Sequence, residues 1–333
     1  MSDALLVRDL GEHALLERIQ CFCPPDIVGD DGAILEIAPD KSLVVTTDVL
    51  VDGVHFSDRT TSPFDIGWRA VAANLSDLAA MGASPLGLTV GLSLPGTQTV
   101  SWVETVYRGM SACLSTYQTH LVGGDICRSP VASLAITALG VVLPHQAIRR
   151  DAARSGDAIV VTGLHGLSRG GLELLLKPDT GISLTPGVRD RLIKAHQRPV
   201  PRLDVLPYLA RVAPETPVAG MDSSDGLADA VKQICQQSGV GARIDLVNLE
   251  ILPGLREWVG EATAKSWLLY GGEDFELVLC LPNPQAIALI SELKGDAAII
   301  GKITTDPDIM AVDGDDPAIT WDLTRNQGFQ HFQ

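Results

Sequence analysis

Six short stretches of this chain set a carboxylate beside glycines or hydroxyls next to apolar runs. They are Gly29-Asp30-Asp31-Gly32, Thr46-Thr47-Asp48, Asn74-Leu75-Ser76-Asp77, Gly123-Gly124-Asp125, Asp222-Ser223-Ser224-Asp225-Gly226 and Gly271-Gly272-Glu273-Asp274. Hydroxyl and carboxylate oxygens are the donors a hard cation takes, Mg²⁺ or Ca²⁺. Each stretch alone also reads as a turn, because Asp and Gly are the commonest turn residues. Carboxylates converging from several loops would instead build a multi-Mg²⁺ site completed by water and phosphate oxygens. The chain has no Gly-x-x-x-x-Gly-Lys-Ser/Thr loop, no kinase His-Arg-Asp or Asp-Phe-Gly, and no Gly-x-Ser-x-Gly elbow. Any phosphate handling would therefore rest on metal ions and backbone amides.

The elements that must hold these stretches follow from the apolar pattern. Leu10 to Gln20 reads as a short helix with Leu15, Leu16 and Ile19 on one face, and Ala33–Ile37 as a strand pairing with the one after it. Ser42-Leu43-Val44-Val45 is a buried strand that Thr46-Thr47-Asp48 ends, where unsatisfied polar groups would be costly. A helix is expected from Pro63 to Met81, whose apolar stretch carries Asp77. A strand follows over Leu86–Leu94, a helix over Val100–Tyr117, a short strand Leu121-Val122 entering Gly123, and a strand over Val131–Val142. The Pro- and Arg-bearing segment from Leu143 to Asp157 marks a boundary, dividing the chain into domains 1–145 and 146–333. Beyond it, strands are expected at Ala158–Val161, Val218-Ala219, Arg243–Leu246 and Phe275–Leu281. Helices are expected at Leu172–Leu176, Val188–Ala195, Leu203–Val212 and Leu227–Gln237. The glycine-rich loop Gly163 to Gly171 fits a phosphate cradle or a helix-entry turn equally well. This alternation defines an α/β or α+β architecture.

Composition narrows the function. With 333 residues, two domains with proper cores are expected, and the net charge of −16 offers no basic patch for nucleic acid. An acidic site still holds polyanions when divalent metals lie between. The six cysteines show no zinc spacing and are expected to be mostly buried free thiols of a reducing cytosol. No leader segment and no membrane-length apolar run is visible, so a cytoplasmic protein is expected. Except for His55, the histidines show no ligand spacing and read as structural or exposed.

The six stretches, together with Gly53-Val54-His55-Phe56 and Leu78-Ala79-Ala80-Met81-Gly82, resemble the thiamine-monophosphate kinase family in identity, order and approximate spacing from about Gly29 to Phe332. Single pieces recur in the wider group of aminoimidazole-ribonucleotide synthetase, selenophosphate synthetase and the hydrogenase maturation ATPase. The resemblance implies a two-domain aminoimidazole-ribonucleotide synthetase-like fold. It implies a homodimer whose N-terminal sheets pair, an ATP groove in the first domain, and phosphorylation of thiamine monophosphate to thiamine diphosphate with several Mg²⁺ ions. By position, Asp31, Thr46, Thr47, Asp48, Asp77, Asp125, Asp222 and Asp225 resemble the magnesium ligands. Tyr107, Gly124, Asp125, Arg150 and Ser224 resemble ATP contacts, and His55, Glu273 and Phe329 substrate contacts. Phe329 suits the thiamine rings by stacking or cation–π contact. The chain departs from the family at Ser223, which stands where an aliphatic residue is usual. A selenophosphate synthetase would need a reactive Cys with a nearby Lys in a glycine-rich N-terminal segment, whereas Cys21 and Cys23 precede Pro24-Pro25. The maturation ATPase ends in a functional Cys, whereas this chain ends His331-Phe332-Gln333. A non-catalytic divalent-metal-binding protein is the reading from another class.

Overall fold

A computed structural model describes residues 5–24, 32–314 and 316–324, with the backbone alone for 316–320. The chain forms two compact units: one contains residues up to Leu78 and Ser84–Val141, the other Ala79–Ala83 and everything from Val142.

The first unit contains α1 (Val7–Leu10), α2 (Glu12–Gln20), β1 (Ser42–Val51), α3 (Pro63–Ala80, whose last two residues belong to the second unit), β2 (Ser84–Leu94), α4 (Val100–Thr116), β3 (Leu121–Arg128) and β4 (Ser133–Val142). Its four strands lie in the order β1-β4-β2-β3. Strand alternation sends Leu88, Val90, Leu92, Leu134, Ile136 and Ala138 into the core. The other face carries Thr89, Gly91, Ala135 and Thr137, and on β1 it shows Leu43, Val45 and Val49 at 48%, 55% and 48% exposure. Helices α3 and α4 cross in contact through glycines. A Cβ on Gly67 would lie 1.9 Å from the Val106 carbonyl oxygen, and one on Gly109 would lie 1.8 Å from that of Phe64. Thr99 starts α4 by accepting the Trp102 N–H on its side chain.

The second unit adds β5 (Ala158–Val161), α5 (Leu167–Leu176), α6 (Pro186–Gln197), α7 (Leu206–Val212), β6 (Ala219–Asp222), α8 (Leu227–Ser238), β7 (Gly241–Asp245), α9 (Leu255–Val259), α10 (Glu261–Tyr270), β8 (Leu277–Leu281), α11 (Asn283–Leu293), β9 (Ala298–Thr304), β10 (Ile309–Asp313) and β11 (Asp316–Asp322). The seven strands run β11-β10-β7-β9-β5-β8-β6, with only β7 and β10 parallel among the neighbours whose directions are described. Both faces of the central strands are covered. Ile159, Val161, Val278 and Cys280 enter one core with Leu174, Val231 and Ile234, while Val160, Leu277, Leu279 and Leu281 enter another with Val205 and Leu289. Burial on two sides is why β5 and β8 read as unbroken apolar runs.

Several expectations are corrected. Residues 33–38 form no strand, and Ile34 stands 92% exposed. Their apolar content is strand-like, but an extended segment needs a partner's N–H and C=O groups to become one. Thr46-Thr47-Asp48 does not end its strand: β1 continues to Val51, so these residues lie mid-strand. Likewise β3 runs straight through Gly123-Gly124-Asp125. Of the cysteines only Cys113, Cys235 and Cys280 are buried, and all six are free.

The glycine contacts between α3 and α4 leave no room for a side chain. Gly109→Val should destabilise the protein by about 1–3 kcal/mol, the usual cost of overpacking, read as a lower urea midpoint at unchanged m-value. A neutral effect would show that the helices are free to separate.

Candidate active site

Helix α3 and strand β1 meet side on in the first unit. Thr46 and Asp48 share one face of β1, and Asn74 and Asp77 lie one helical turn apart on α3. The Thr46 hydroxyl donates to Asp77 Oδ2. Asn74 is fully buried, with Oδ1 accepting the Asp48 backbone N–H at 3.1 Å and Nδ2 donating to the Ala70 carbonyl at 2.9 Å. Thr47 faces the other way, 2.8 Å from the Thr137 hydroxyl on β4. Four residues past the end of β1, His55 Nδ1 accepts the Val51 N–H at 3.0 Å, so the neutral ring carries its proton on Nε2.

Strand β3 supplies the second group. Asp125 pairs with Gly91, and Gly124 packs so closely on β2 that a Cβ there would lie 2.3 Å from the Val90 oxygen. Gly123, Gly124 and Asp125 line a cavity of about 310 Å³ with Leu16, Ile19 and Tyr107. Tyr107 is buried; loss of water, then the nearby Cys23, raises its hydroxyl pKa. Its ring lies 5.8 Å from that of Phe22. The sheet order sets β1 and β3 at opposite edges, three strand spacings or about 14 Å apart. One unit thus brings Thr46, Asp48 and Asp77 together and keeps Asp125 away from them.

These donors fit magnesium. Among the described residues no three His, Cys, Asp or Glu side chains gather into a metal-holding group. Mg²⁺ does not require one, because one or two carboxylates with waters and phosphate oxygens complete its octahedron. The all-oxygen set of Thr46, Asp48 and Asp77 matches that demand.

In the second unit the acidic stretches 222–226 and 271–274 are tied together. The Glu273 N–H donates to the Ser224 carbonyl at 2.6 Å, and the Ser223 N–H to that of Glu276 at 2.9 Å. A Cβ on Gly272 would sit 2.9 Å from the Ser224 oxygen. Glu273 and Phe275 both hold left-handed backbone, at φ 58° and 55°, a strain that persists only where surroundings enforce it. Asp222 Oδ1 accepts from the Ser224 hydroxyl at 3.0 Å, and Asp225 is exposed. The exposed Arg150 donates to Gln233 Oε1 at 2.6 Å, and Gln233 in turn bonds Asp229 one turn back on α8.

Asp274 answers the question of the glycine-rich loop. Its two oxygens accept the Gly166 and Ser168 N–H groups at 2.7 and 2.8 Å, so the chain's own carboxylate caps the start of α5. Only residues 163–166 form a turn, and it enters α5, which begins at Leu167 rather than at the expected Leu172. Two histidines that carried no sequence signal lie buried behind these loops. His165 Nε2 is 3.1 Å from the Ser223 hydroxyl, and burial lowers its pKa to about 4. His196 Nδ1 is 3.1 Å from the Ser168 hydroxyl and 3.7 Å from Glu273 Oε2. No spacing rule would have found them, because both partners are distant in sequence. Asp31 and Phe329 lie outside the described residues.

Residues 29–142 match the family described as AIR synthase related protein, N-terminal domain, and residues 154–313 the corresponding C-terminal domain. The hydrogenase maturation protein HypE in complex with ATP shares the fold at a TM-score of 0.74 and 22% identity, covering 93% of this chain and 95% of that one. Fold and site together define a two-domain protein of the AIR synthase-related class. Within that class, the thiamine-monophosphate kinase of Synechococcus elongatus is 51% identical over 336 residues, 100% of this chain and 99% of the relative. That of Escherichia coli is 36% identical over 311 residues, 92% and 91%. The solved thiamine-monophosphate kinase of Stenotrophomonas maltophilia superposes at a TM-score of 0.79 with 36% identity, covering 89% of this chain and 95% of that one. AaThiL complexed with AMPPCP and TMP superposes at 0.71 with 32% identity, 93% and 96%. The chain belongs to the thiamine-monophosphate kinase family.

The Asp274 cap has a pH signature. Desolvation holds its carboxyl at about 7 against the opposing pull of the Ser168 and Gly166 N–H groups. A folded pKa above the unfolded value of about 3.9 means the native state holds the proton longer, so this group's contribution falls as pH rises from about 4 to 7. The stability of the native protein relative to Asp274→Asn, from urea unfolding, should therefore shrink over that interval and level off above it. A difference that grows with pH would show the N–H donors outweighing burial.

Proposed function

We propose that the protein transfers the γ-phosphoryl group of ATP to thiamine monophosphate, forming thiamine diphosphate and ADP. The observation that carries this reading is 51% identity to a thiamine-monophosphate kinase across the whole chain. The oxygen-donor set of Thr46, Asp48 and Asp77 on the β1–α3 seam supports it.

The reaction brings two polyanions together, so electrostatic repulsion dominates the barrier. Several Mg²⁺ ions, when bound, would neutralise phosphate charge. The residues proposed to hold them are Asp31, Thr46, Thr47, Asp48, Asp77 and Asp125 in the N-terminal domain (1–145), and Asp222 and Asp225 in the C-terminal domain (146–333). The cavity beside Tyr107, which Gly124 helps to line, suits the nucleotide. Arg150, held by Gln233, and Ser224 are assigned to the phosphates, and Asp125 to both metal and nucleotide. His55 would offer its Nε2–H to thiamine monophosphate, with Glu273 and Phe329 as the other substrate contacts. The acceptor phosphate is already ionised at neutral pH, so in-line attack needs no general base and no covalent phosphoenzyme.

A homodimer belongs to the same proposal. The apolar strip Leu43, Val45 and Val49 lies on the sheet face opposite the core, where a second copy would cover it. Strands β1 and β3, which carry the separated donors Asp48 and Asp125, are also the two edges of that sheet. Action in the cytoplasm is part of the same proposal; no described helix is long and apolar enough to cross a membrane.

Purified protein given ATP, Mg²⁺ and thiamine monophosphate should form thiamine diphosphate, while thiamine or aminoimidazole precursors should not replace the substrate. No product would end the proposal. Asp48→Asn should lower turnover by at least about 100-fold with an unchanged melting temperature, and full activity would remove Asp48 from the site. Val45→Asp should shift the protein from dimer to monomer by light scattering. A wild-type monomer at micromolar concentration would refute the dimer.

A further inference from the structure

Ser223 lies within the acidic turn, and its side chain is wholly buried. A buried hydroxyl destabilises the fold unless it is bonded. The partner is His165, itself only 3% exposed, whose Nε2 lies 3.1 Å away across 58 residues of sequence. The other ring nitrogen, Nδ1, is buried, and the ring also draws on the Gly163 backbone. Two apolar side chains of similar shape would fill this space without the cost of burying a hydroxyl and an imidazole. Stability alone therefore does not explain the pair.

Its location does. Ser223 sits between Asp222, the last residue of β6, and Ser224-Asp225. Main-chain bonds hold the turn on its other sides, through Ser223 N–H to Glu276, Gly226 N–H to Ser223 and Glu273 N–H to Ser224. The His165–Ser223 bond is the hold that acts through the Ser223 side chain. A shift of Ser223 would pass directly to its neighbour Asp222 and, through Ser224, to Asp225.

We propose that His165 is a positioning residue, which sets the directions of the Asp222 and Asp225 carboxylates by gripping the Ser223 hydroxyl from beneath the turn. This rests on the reading that those carboxylates hold magnesium, and it adds to it a residue from the glycine-rich loop that the phosphate chemistry leaves unused. His165 touches no substrate and moves no proton. Its effect is on metal affinity, felt through the turn.

The test is a Mn²⁺ titration of the full-length protein, followed by electron paramagnetic resonance, with Mg²⁺-dependent turnover measured in parallel. Asp222→Asn should weaken Mn²⁺ binding. His165→Leu and Ser223→Val should each weaken it by about tenfold, since each strands one buried polar group. The double variant His165→Leu/Ser223→Val, which lacks the same one bond, should be no weaker than either single variant, and His165→Gln should retain most of the affinity. In turnover the single variants should raise the Mg²⁺ concentration for half-activation more than they lower kcat. Wild-type affinity in His165→Leu beside a loss in Asp222→Asn would overturn the role of His165 alone. So would a double variant as weak as the two single effects multiplied, or a fall in kcat with unchanged Mg²⁺ dependence. An unaffected Asp222→Asn would overturn the metal reading, and the positioning role with it. If a single variant fails to fold, the double variant and His165→Gln still decide between these outcomes.

Discussion

The backbone contact between α3 and α4 constrains the first unit more than any other feature. With Val106 and Phe64 carbonyls pressed against Gly67 and Gly109, the two helices have almost no freedom to slide or rotate on each other. Helix α3 is then stitched to β1 by two polar bonds, Asp77 to the Thr46 hydroxyl and Asn74 to the Asp48 backbone. A carboxylate on a helix and another on a strand thereby acquire a fixed relation. Isolated acidic residues on flexible loops would have to order themselves on binding a cation, and the ordering entropy would be subtracted from affinity. Here much of that ordering is already present in the fold. Asn74 has its amide satisfied at both ends, so its burial costs little and its orientation is unambiguous.

The second unit reaches a comparable rigidity by a different route. Its acidic turns hang from the ends of β6 and α10, and their main chains bond each other directly. Left-handed backbone at Glu273 and Phe275 lets the connection into β8 turn sharply enough for Glu273 to reach Ser224. Asp274, which looks in sequence like one more metal-seeking carboxylate, is used inward to satisfy the first turn of α5. Glu276 is likewise turned inward, bonded to Thr162 and Arg202. Similar Asp- and Glu-bearing stretches thus divide into those proposed to face a ligand and those that hold the loops in place.

What the sequence by itself determined was local. The double-sided burial of β5 and β8 follows from runs of consecutive apolar residues, the helix from Pro63 from its small and aliphatic content, and the six acidic stretches from their glycine and hydroxyl neighbours. Family resemblance was legible because it is carried by the identity, order and spacing of those same stretches. Strand ends were less legible. Thr46-Thr47-Asp48 and Gly123-Gly124-Asp125 look like terminations because polar residues and glycines usually are. Yet both strands run on, since ladder hydrogen bonds to neighbouring strands, invisible in one segment, carry the polar residues along.

Only the tertiary structure decided which of these residues stand together. Strand order put Asp48 and Asp125 at opposite edges of one sheet, although both sit in similar settings along the chain. Residues 33–38 are apolar enough for a strand and form none with any partner among the described residues. His165 and His196 gained their places from serines 58 and 28 residues away, and Asp274 from a helix start 108 residues before it. The physical reason is common to all of them. Periodicity and propensity act over a few residues, whereas hydrogen-bond partners and strand neighbours are chosen by the folded chain as a whole.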